Sequence, residues 1–553
     1  MRPARVALLT TLLLMAGAEA GAQTHEPTLA EGRRARTIQG ERYGTLSPDD
    51  SAVQRARAVF ERIVRAAGRR PGLVLELDVL DTPRVIGQAL PGGLVVVSRG
   101  LLDVANGDDN ALAFVLGHEL AHVLRDHHAA LLARLPAPSE VPTEQLSTYR
   151  DKELEADRLG VLFAVLAGYE PAAAVPMLKK ITTDAPSDPF HPAPRARAEA
   201  VNRQLVEIST QLEVLYLGLF LLGMDEPLDA ARVLEQFAAV FPAREVLSLA
   251  GLAWHKEALH VHTPDIRYRH LLVLDASTRA LRLRGSPPAG GFSPPPPDPA
   301  FRRSMDRAVT LYKQAVEADP GYAPALNNLA TAYLDLDERD LAAAYVNRAL
   351  KADPALAATY NNRGVLHALA GDPRKAQDDW LRALQLDPGR WEIIENVARI
   401  QKNPDDARAW RGKLAPVDRS TYPAQALDGV ASGVPLDGLR GRFGDARARA
   451  VPVPLGGVPG DDLSLSIAAG QGLLVAVRRG VVEAVAAFGS GRPVTREGVG
   501  PGDTAARVER AYGRPVGLSG VQAVNVWYYP SRGMTIFIVG DRVQSVWAGR
   551  PKK

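Results

Sequence analysis

The 553-residue chain contains no cysteine. That absence excludes disulfides, thiolate nucleophiles and Cys-ligated metals, so any bound metal must rest on His, Asp or Glu. An excess of either charge is also missing: 66 basic against 63 acidic residues give a formal net charge of +3. A dedicated nucleic-acid binder carries a clear basic excess, so no nucleic-acid partner is expected. Beyond the N-terminus no apolar run is long enough to span a bilayer. Val214 to Leu222 comes nearest and reads as a buried helix. The length argues for three or four domains rather than one.

At the N-terminus, Arg2 and Arg5 precede an apolar run from Val6 to Ala16, and small residues follow at Ala18, Ala20 and Ala22. This is the pattern of a secretory signal over residues 1–22, cleavable after Ala20 or Ala22. An uncleaved anchor is the competing reading, and the run is short for one. With no cysteine after it, lipoprotein anchoring is excluded. The expectation is an exported protein, periplasmic first, with secreted or membrane-associated forms as alternatives.

Residues 23–50 are polar, Arg-rich and without periodicity, and are expected to form a loose lead-in. Helical spacing begins at Val53, with Ala56, Val59, Phe60, Ile63 and Val64 on one face. Leu73 to Leu80 and Gly93 to Ser98 are strand-like and flank Leu90-Pro91-Gly92-Gly93, which is turn chemistry. Asp108 and Asp109 can cap a helix running to about His128. A second helix is expected over Glu144 to Ala167, with Gly168 and Pro171 placed to end it. Residues 50–204 therefore read as one α+β domain.

Within it, His118-Glu119-Leu120-Ala121-His122 is the sharpest motif. On a helix, positions i and i+4 share a face, so His118 and His122 can offer imidazole nitrogens to one ion. Glu119 then lies beside that ion as the catalytic base. A catalytic zinc, one per chain, needs a third protein ligand and an open position. Glu153, in the "ELEAD" run at 153–157, supplies that ligand from the second helix. Asp157 shares its face and would fix the tautomer of a ligating His. Glu155 falls off that face. His127 is assigned to structure behind the ligands, and His255, His260, His262 and His270 to ordinary surface or packing roles.

These paired motifs, HExxH followed by ExxAD, resemble the gluzincin family of CAAX prenyl proteases, with its HtpX and BepA-type members. "ALPGGLVVVSRGLLD" at 89–103 and "HPAPRAR" at 191–197 extend the likeness over roughly 53–200. The resemblance implies zinc, an α+β zincin-like fold and endopeptidase action on a polypeptide substrate. An extended peptide would then pair with an edge strand at 94–98. It also implies roles for the downstream residues: His191 as a fourth ligand that switches the site off, or His191 or Arg197 as an oxyanion donor. The family's Asn-Ala-Phe-like stretch is replaced by Ile86, Gly87 and Gln88, which leaves the substrate geometry open.

After about residue 205 the pattern is helical throughout, with 205–280 expected to be repeat-like. Ala315, Ala349 and Ala383 are spaced by 34, as are Pro320, Pro354 and Pro388, each preceded by Asp. Residues 302–400 resemble tetratricopeptide repeats, a surface for a protein partner. A weaker copy is visible at 211–244 through Gly218, Ala230 and Pro242. A Pro-rich linker at 281–301 interrupts the array. From 420 to 550 the chain is Gly- and Val-rich and β-like, in two similar units, each expected to be a short helix followed by an antiparallel pair. The second, with "WYYP" at 527–530, is faintly similar to BamE/SmpA-type domains, which implies outer-membrane assembly clients. Together these readings give an exported zinc endopeptidase acting in envelope protein quality control. The rival is a chaperone-like scaffold with little proteolysis.

Overall fold

The computed structural model describes residues 25–67, 73–127, 143–167, 169, 173–181, 194–261, 268–273, 299–388, 390–414, 422–423, 425–439, 451–453, 463–468, 472–488, 495–515, 517–521 and 524–551. Residues 1–206 and 207–553 form two compact units.

In the first unit, Val53, Ala56, Val59, Phe60, Ile63 and Val64 are all buried along α2(Ser51–Ala67). Spacings of three and four residues put them on the one stripe that faces the core. The polar stretch before it is not a loose lead-in. It forms α1(His25–Tyr43). Leu29 and Ala35 pack against buried Leu90, Leu94 and Val96. Gly32 lies so close to the Pro-Gly-Gly turn that a Cβ there would fall 2.0 Å from the Pro91 carbonyl oxygen. Arg36 reaches Glu76 at 2.6 Å and Asp78 at 3.5 Å. Two apolar residues six apart leave no periodic signature, and a helix so polar depends on such tertiary contacts.

Three strands follow: β1(Glu76–Leu80), β2(Gly87–Leu90) and β3(Leu94–Ser98), in spatial order β1-β3-β2. β3 runs parallel to β1 from Glu76↔Leu94 to Leu80↔Ser98 and antiparallel to β2 from Gly87↔Val97 to Leu90↔Leu94. The turn between β2 and β3 holds Gly92 and Gly93 at φ 77° and 101°, which glycine adopts readily. This corrects the expectation that 94–98 is a peptide-pairing edge. β3 is central, its five residues all buried, and its unalternating "LVVVS" is the pattern of a strand covered on both faces. Among the described strands the antiparallel edge is β2.

Helices α3(Arg99–Ala105), α4(Asp109–Leu124), α5(Thr143–Leu166) and α6(Ala174–Ile181) complete the unit, with the start of α7(Pro194–Gly223). The Asp108 carboxylate accepts from the Asn110 and Ala111 backbone N–H groups and so caps α4. The helix stops at Leu124, short of His128. Asp126 turns left-handed at φ 54°, and the His127 N–H closes onto the His122 carbonyl at 3.0 Å, a Schellman-type end. Gly168, Pro171 and His128 lie outside the described residues.

In the second unit, α8(Pro227–Val240) folds back on the end of α7. Gly218 admits it, since a Cβ there would meet the Leu234 side chain at 2.7 Å. After α9(Arg244–Val261) the all-helical expectation fails, because residues 268–273 are not helical. The repeats are α10(Pro299–Ala318), α11(Ala323–Asp335), α12(Arg339–Ala352), α13(Ala357–Leu369), α14(Pro373–Leu386), α15(Trp391–Arg399) and α16(Pro404–Arg411). Ala315, Ala349 and Ala383 are fully buried, and each Asp-Pro pair follows the end of α10, α12 or α14. Most of the 281–301 linker lies outside the described residues.

The C-terminal strands form one continuous sheet rather than two separate helix-plus-pair units. After the short pair β4(Ala426–Leu427) and β5(Val430–Ala431) come β6(Val451–Val453), β7(Leu463–Ala468), β8(Leu473–Arg478), β9(Val481–Phe488), α17(Ala505–Tyr512), β10(Gly517–Val521), β11(Val524–Tyr529), β12(Met534–Val539) and β13(Arg542–Ala548). The sheet order is β10-β11-β12-β13-β9-β8-β7-β6, all antiparallel. Each half is a four-stranded meander, and β13 joins β9 at the centre. The β8–β9 and β12–β13 hairpins align in sequence, Val475–Val485 on Ile536–Val546, and bulge at matching positions, Ala476/Val477 and Phe537/Ile538.

Candidate metal centre

α4 and α5 meet through two glycines. A Cβ on Gly117 would lie 2.8 Å from the Gly160 carbonyl oxygen, and one on Gly160 would lie 2.7 Å from the His118 nitrogen. This close crossing sets His118 and His122 opposite Glu153. The two Nε2 atoms are 3.0 Å apart. Glu153 places Oε2 3.4 Å from His118 Nε2 and Oε1 3.3 Å from His122 Nε2. One ligand atom from each residue lies within 4.8 Å of the others. Two imidazole nitrogens and a carboxylate converging on one point are the His2Glu donor set of a catalytic zinc.

Behind these three residues stands a second set of charges. Asp157 Oδ1 lies 3.0 Å from His118 Nδ1, so Nδ1 turns its proton to Asp157 and Nε2 is the nitrogen that faces inward. The Arg197 guanidinium grips Asp157 with two bonds, Nη2 to Oδ1 at 2.6 Å and Nε to Oδ2 at 2.8 Å. Such a fork is strong and directional. Arg197 is buried, and the same Nη2 lies 3.5 Å from His118 Nδ1 and 3.9 Å from Glu153 Oε2. On the other ligand, His127 Nδ1 is 3.1 Å from His122 Nδ1, and His127 Nε2 is 3.4 Å from Glu155 Oε2. Arg125 holds the same Glu155 at 3.2 Å. Glu155 is off the ligand face, as its position in the helix implies, yet it backs the second histidine through His127.

The electrostatics favour a cation at the centre. Burial opposes charge on His118, but Asp157 and Glu153 outweigh it and push the imidazole up to about 10. Burial likewise opposes charge on Glu153, but His118 and His122 hold it far below the usual carboxylate range. Asp157 is held low by Arg197 and His118 against its burial. His127 is pushed down to about 4 by burial and by its neighbour His122, which keeps it neutral.

Glu119 is buried beside the ligands. A Cβ on Gly87 would lie 3.0 Å from Glu119 Oε1, so the edge strand β2 passes directly over this carboxylate. Neither Gly117 nor Gly160 stands out in the sequence pattern. Gly117 immediately precedes the motif, and that adjacency was the available signal. His191 lies outside the described residues. Of the other histidines, His255 and His270 take the packing role: both bind the buried Asp335 carboxylate, at 2.7 and 2.9 Å.

Residues 52–139 match the model of Peptidase family M48. The N-terminal unit thus contains a region similar to Peptidase family M48. Residues 303–360 and 357–390 match tetratricopeptide repeat models, so the M48-like region is followed in the same chain by a repeat array. Mitochondrial metalloendopeptidase OMA1 of Arabidopsis thaliana is 30% identical over 151 residues, covering 24% of this chain and 31% of that protein. The protein of that name from Schizosaccharomyces pombe is 34% identical over 136 residues, covering 21% and 40%. The matches thus span less than half the length of these relatives. Among solved structures, the first TPR of Spaghetti (RPAP3) bound to an HSP90 peptide is 25% identical at a TM-score of 0.18, covering 20% of this chain and 82% of that one. Among the described residues no helix is long and apolar enough to cross a membrane.

Proposed function

We propose that this chain is a zinc-dependent endopeptidase. The observation that carries this reading is the convergence of His118, His122 and Glu153 within 4.8 Å of one another, with Glu119 alongside under β2. Zinc, when bound by these three residues, supplies a Lewis acid for the scissile carbonyl and for water. Asp157 orients His118, and Arg197 holds Asp157 in place. An extended polypeptide pairs with β2, which brings its backbone over Glu119. Glu119 accepts the proton of the attacking water and delivers it to the leaving amine.

The tetratricopeptide array adds protein binding to this activity. The N-terminal apolar run over residues 6–16 supports export, with the periplasm as destination and envelope protein quality control as the role. Outer-membrane assembly clients fit that setting. Turnover of unfolded casein by the purified chain, with and without a chelator, is the test. Chelator-sensitive cleavage supports the peptidase. Casein that is held but never cut supports the chaperone-like scaffold instead.

A further inference from the structure

The repeat array carries a second feature that the metal centre does not use. Asn328, Asn362 and Asn396 recur at the repeat period on α11, α13 and α15, and all three are fully buried. Their amides line up along the non-helical segment 268–273. The Asn396 amide accepts from the Arg269 N–H at 2.6 Å and donates to the Arg269 carbonyl at 2.8 Å. Asn362 does the same to Leu271, at 2.8 and 2.9 Å. Asn328 does the same to Val273, at 2.9 and 2.6 Å. Asn361 and Asn327 add donors to the Arg269 and Leu271 carbonyls, both at 2.9 Å. A side-chain amide offers one donor face and one acceptor face, as a neighbouring β-strand would. Every second residue of the segment is therefore read through its main chain.

Side chains contribute along the same line. Leu271 and Val273 enter the repeat core with Val365, Trp380 and Ile393. Arg269 lies over the Trp391 ring, 5.3 Å from its centroid, and His270 reaches Asp335. The asparagines belong to the repeat, whereas the segment lies outside it, between α9 and α10. The groove is thus constructed for an extended chain, and a piece of this chain fills it.

We propose that residues 268–273 act as an intramolecular competitor, holding the row of repeat asparagines that an incoming extended polypeptide, apolar at alternate positions, must take over. Client binding displaces that segment. The proposal is independent of the metal centre and does not rest on peptidase activity.

The probe is a fluorescent hexapeptide of sequence Tyr-Arg-His-Leu-Leu-Val, titrated against the full-length chain. A tethered occupant competes at an effective concentration on the order of mM, so the wild type binds the probe weakly. Leu271→Asp with Val273→Asp loosens the internal segment and raises affinity by about tenfold or more. Adding Asn362→Ala removes that gain. A probe N-methylated at its first leucine, the Leu271 position, does not bind, since one main-chain donor is gone. Hydrogen exchange over 268–273 in the wild type speeds up at millimolar probe. A folded double variant that binds no better than wild type, or an N-methylated probe that binds equally, overturns the proposal. Where the double variant does not fold, unchanged exchange in the wild type overturns it. Zinc content and casein turnover of the same samples report separately on the metal centre.

Discussion

Gly117 and Gly160 touch where α4 crosses α5, and any side chain on Gly117 would collide with the Gly160 carbonyl at 2.8 Å. That contact fixes how far Glu153 stands from the two histidines. Gly160→Ala is expected to cost about 1–3 kcal/mol through overpacking and to weaken zinc binding together with stability. A thermal melt and a zinc titration on the purified variant check both. An unchanged zinc affinity would show that the ligands do not depend on this crossing.

Glu119→Gln removes the base and keeps the three ligands. Casein turnover should fall by about a hundredfold or more, while zinc content stays near that of the wild type. Retention of more than a few per cent of activity would assign the base elsewhere.

Gly87→Val sets a side chain against the Glu119 carboxylate at the edge strand. Turnover should fall with zinc content unchanged, and the loss should exceed that for Gln88→Ala. Equal activity of Gly87→Val and wild type would argue against β2 as the substrate edge.

The two histidine ligands are supported differently, and single changes should separate them. Asp157→Ala is expected to weaken zinc binding about tenfold to a hundredfold. Arg197→Lys should follow it in part, because an ammonium cannot replace the fork on Asp157. Glu155→Ala removes only the group behind His127 and should give a smaller loss. Zinc affinities ranked in the reverse order would reject this layering.

Buried Asp335 gives the second unit an acid-sensitive point. Burial opposes its charge, but His270 and His255 outweigh this and hold it at about 2 against an ordinary 3.8. Its folded pKa lies below its unfolded one, so its contribution is complete above about pH 4 and is lost as pH falls toward 2. The shift corresponds to about 2 kcal/mol. Asp335→Asn should therefore flatten the acid side of the stability curve, read by denaturant unfolding between pH 5 and 2.

Much of the site was legible in order along the chain. The i, i+4 rule places His118 and His122 together on any helix, and the same rule puts Glu153 and Asp157 on one face of the next. The 34-residue period and its Asp-Pro punctuation needed no structure either, because each repeat ends its second helix at the same step. The sequence was silent on relations between segments far apart. α1 has too few apolar residues to show a period, and its helix depends on the Pro-Gly-Gly turn some sixty residues later. The edge of the small sheet is settled by which strand β1 pairs with: β3 takes the centre, and the edge falls to β2, a strand the sequence pattern did not announce. Arg197 and Asp157 lie forty residues apart, and only their burial together makes the fork that clamps Asp157. Local periodicity and ligand chemistry are set by neighbours along the chain. Strand order, helix crossing distance and the filling of the repeat groove come from packing, which no single stretch of sequence contains.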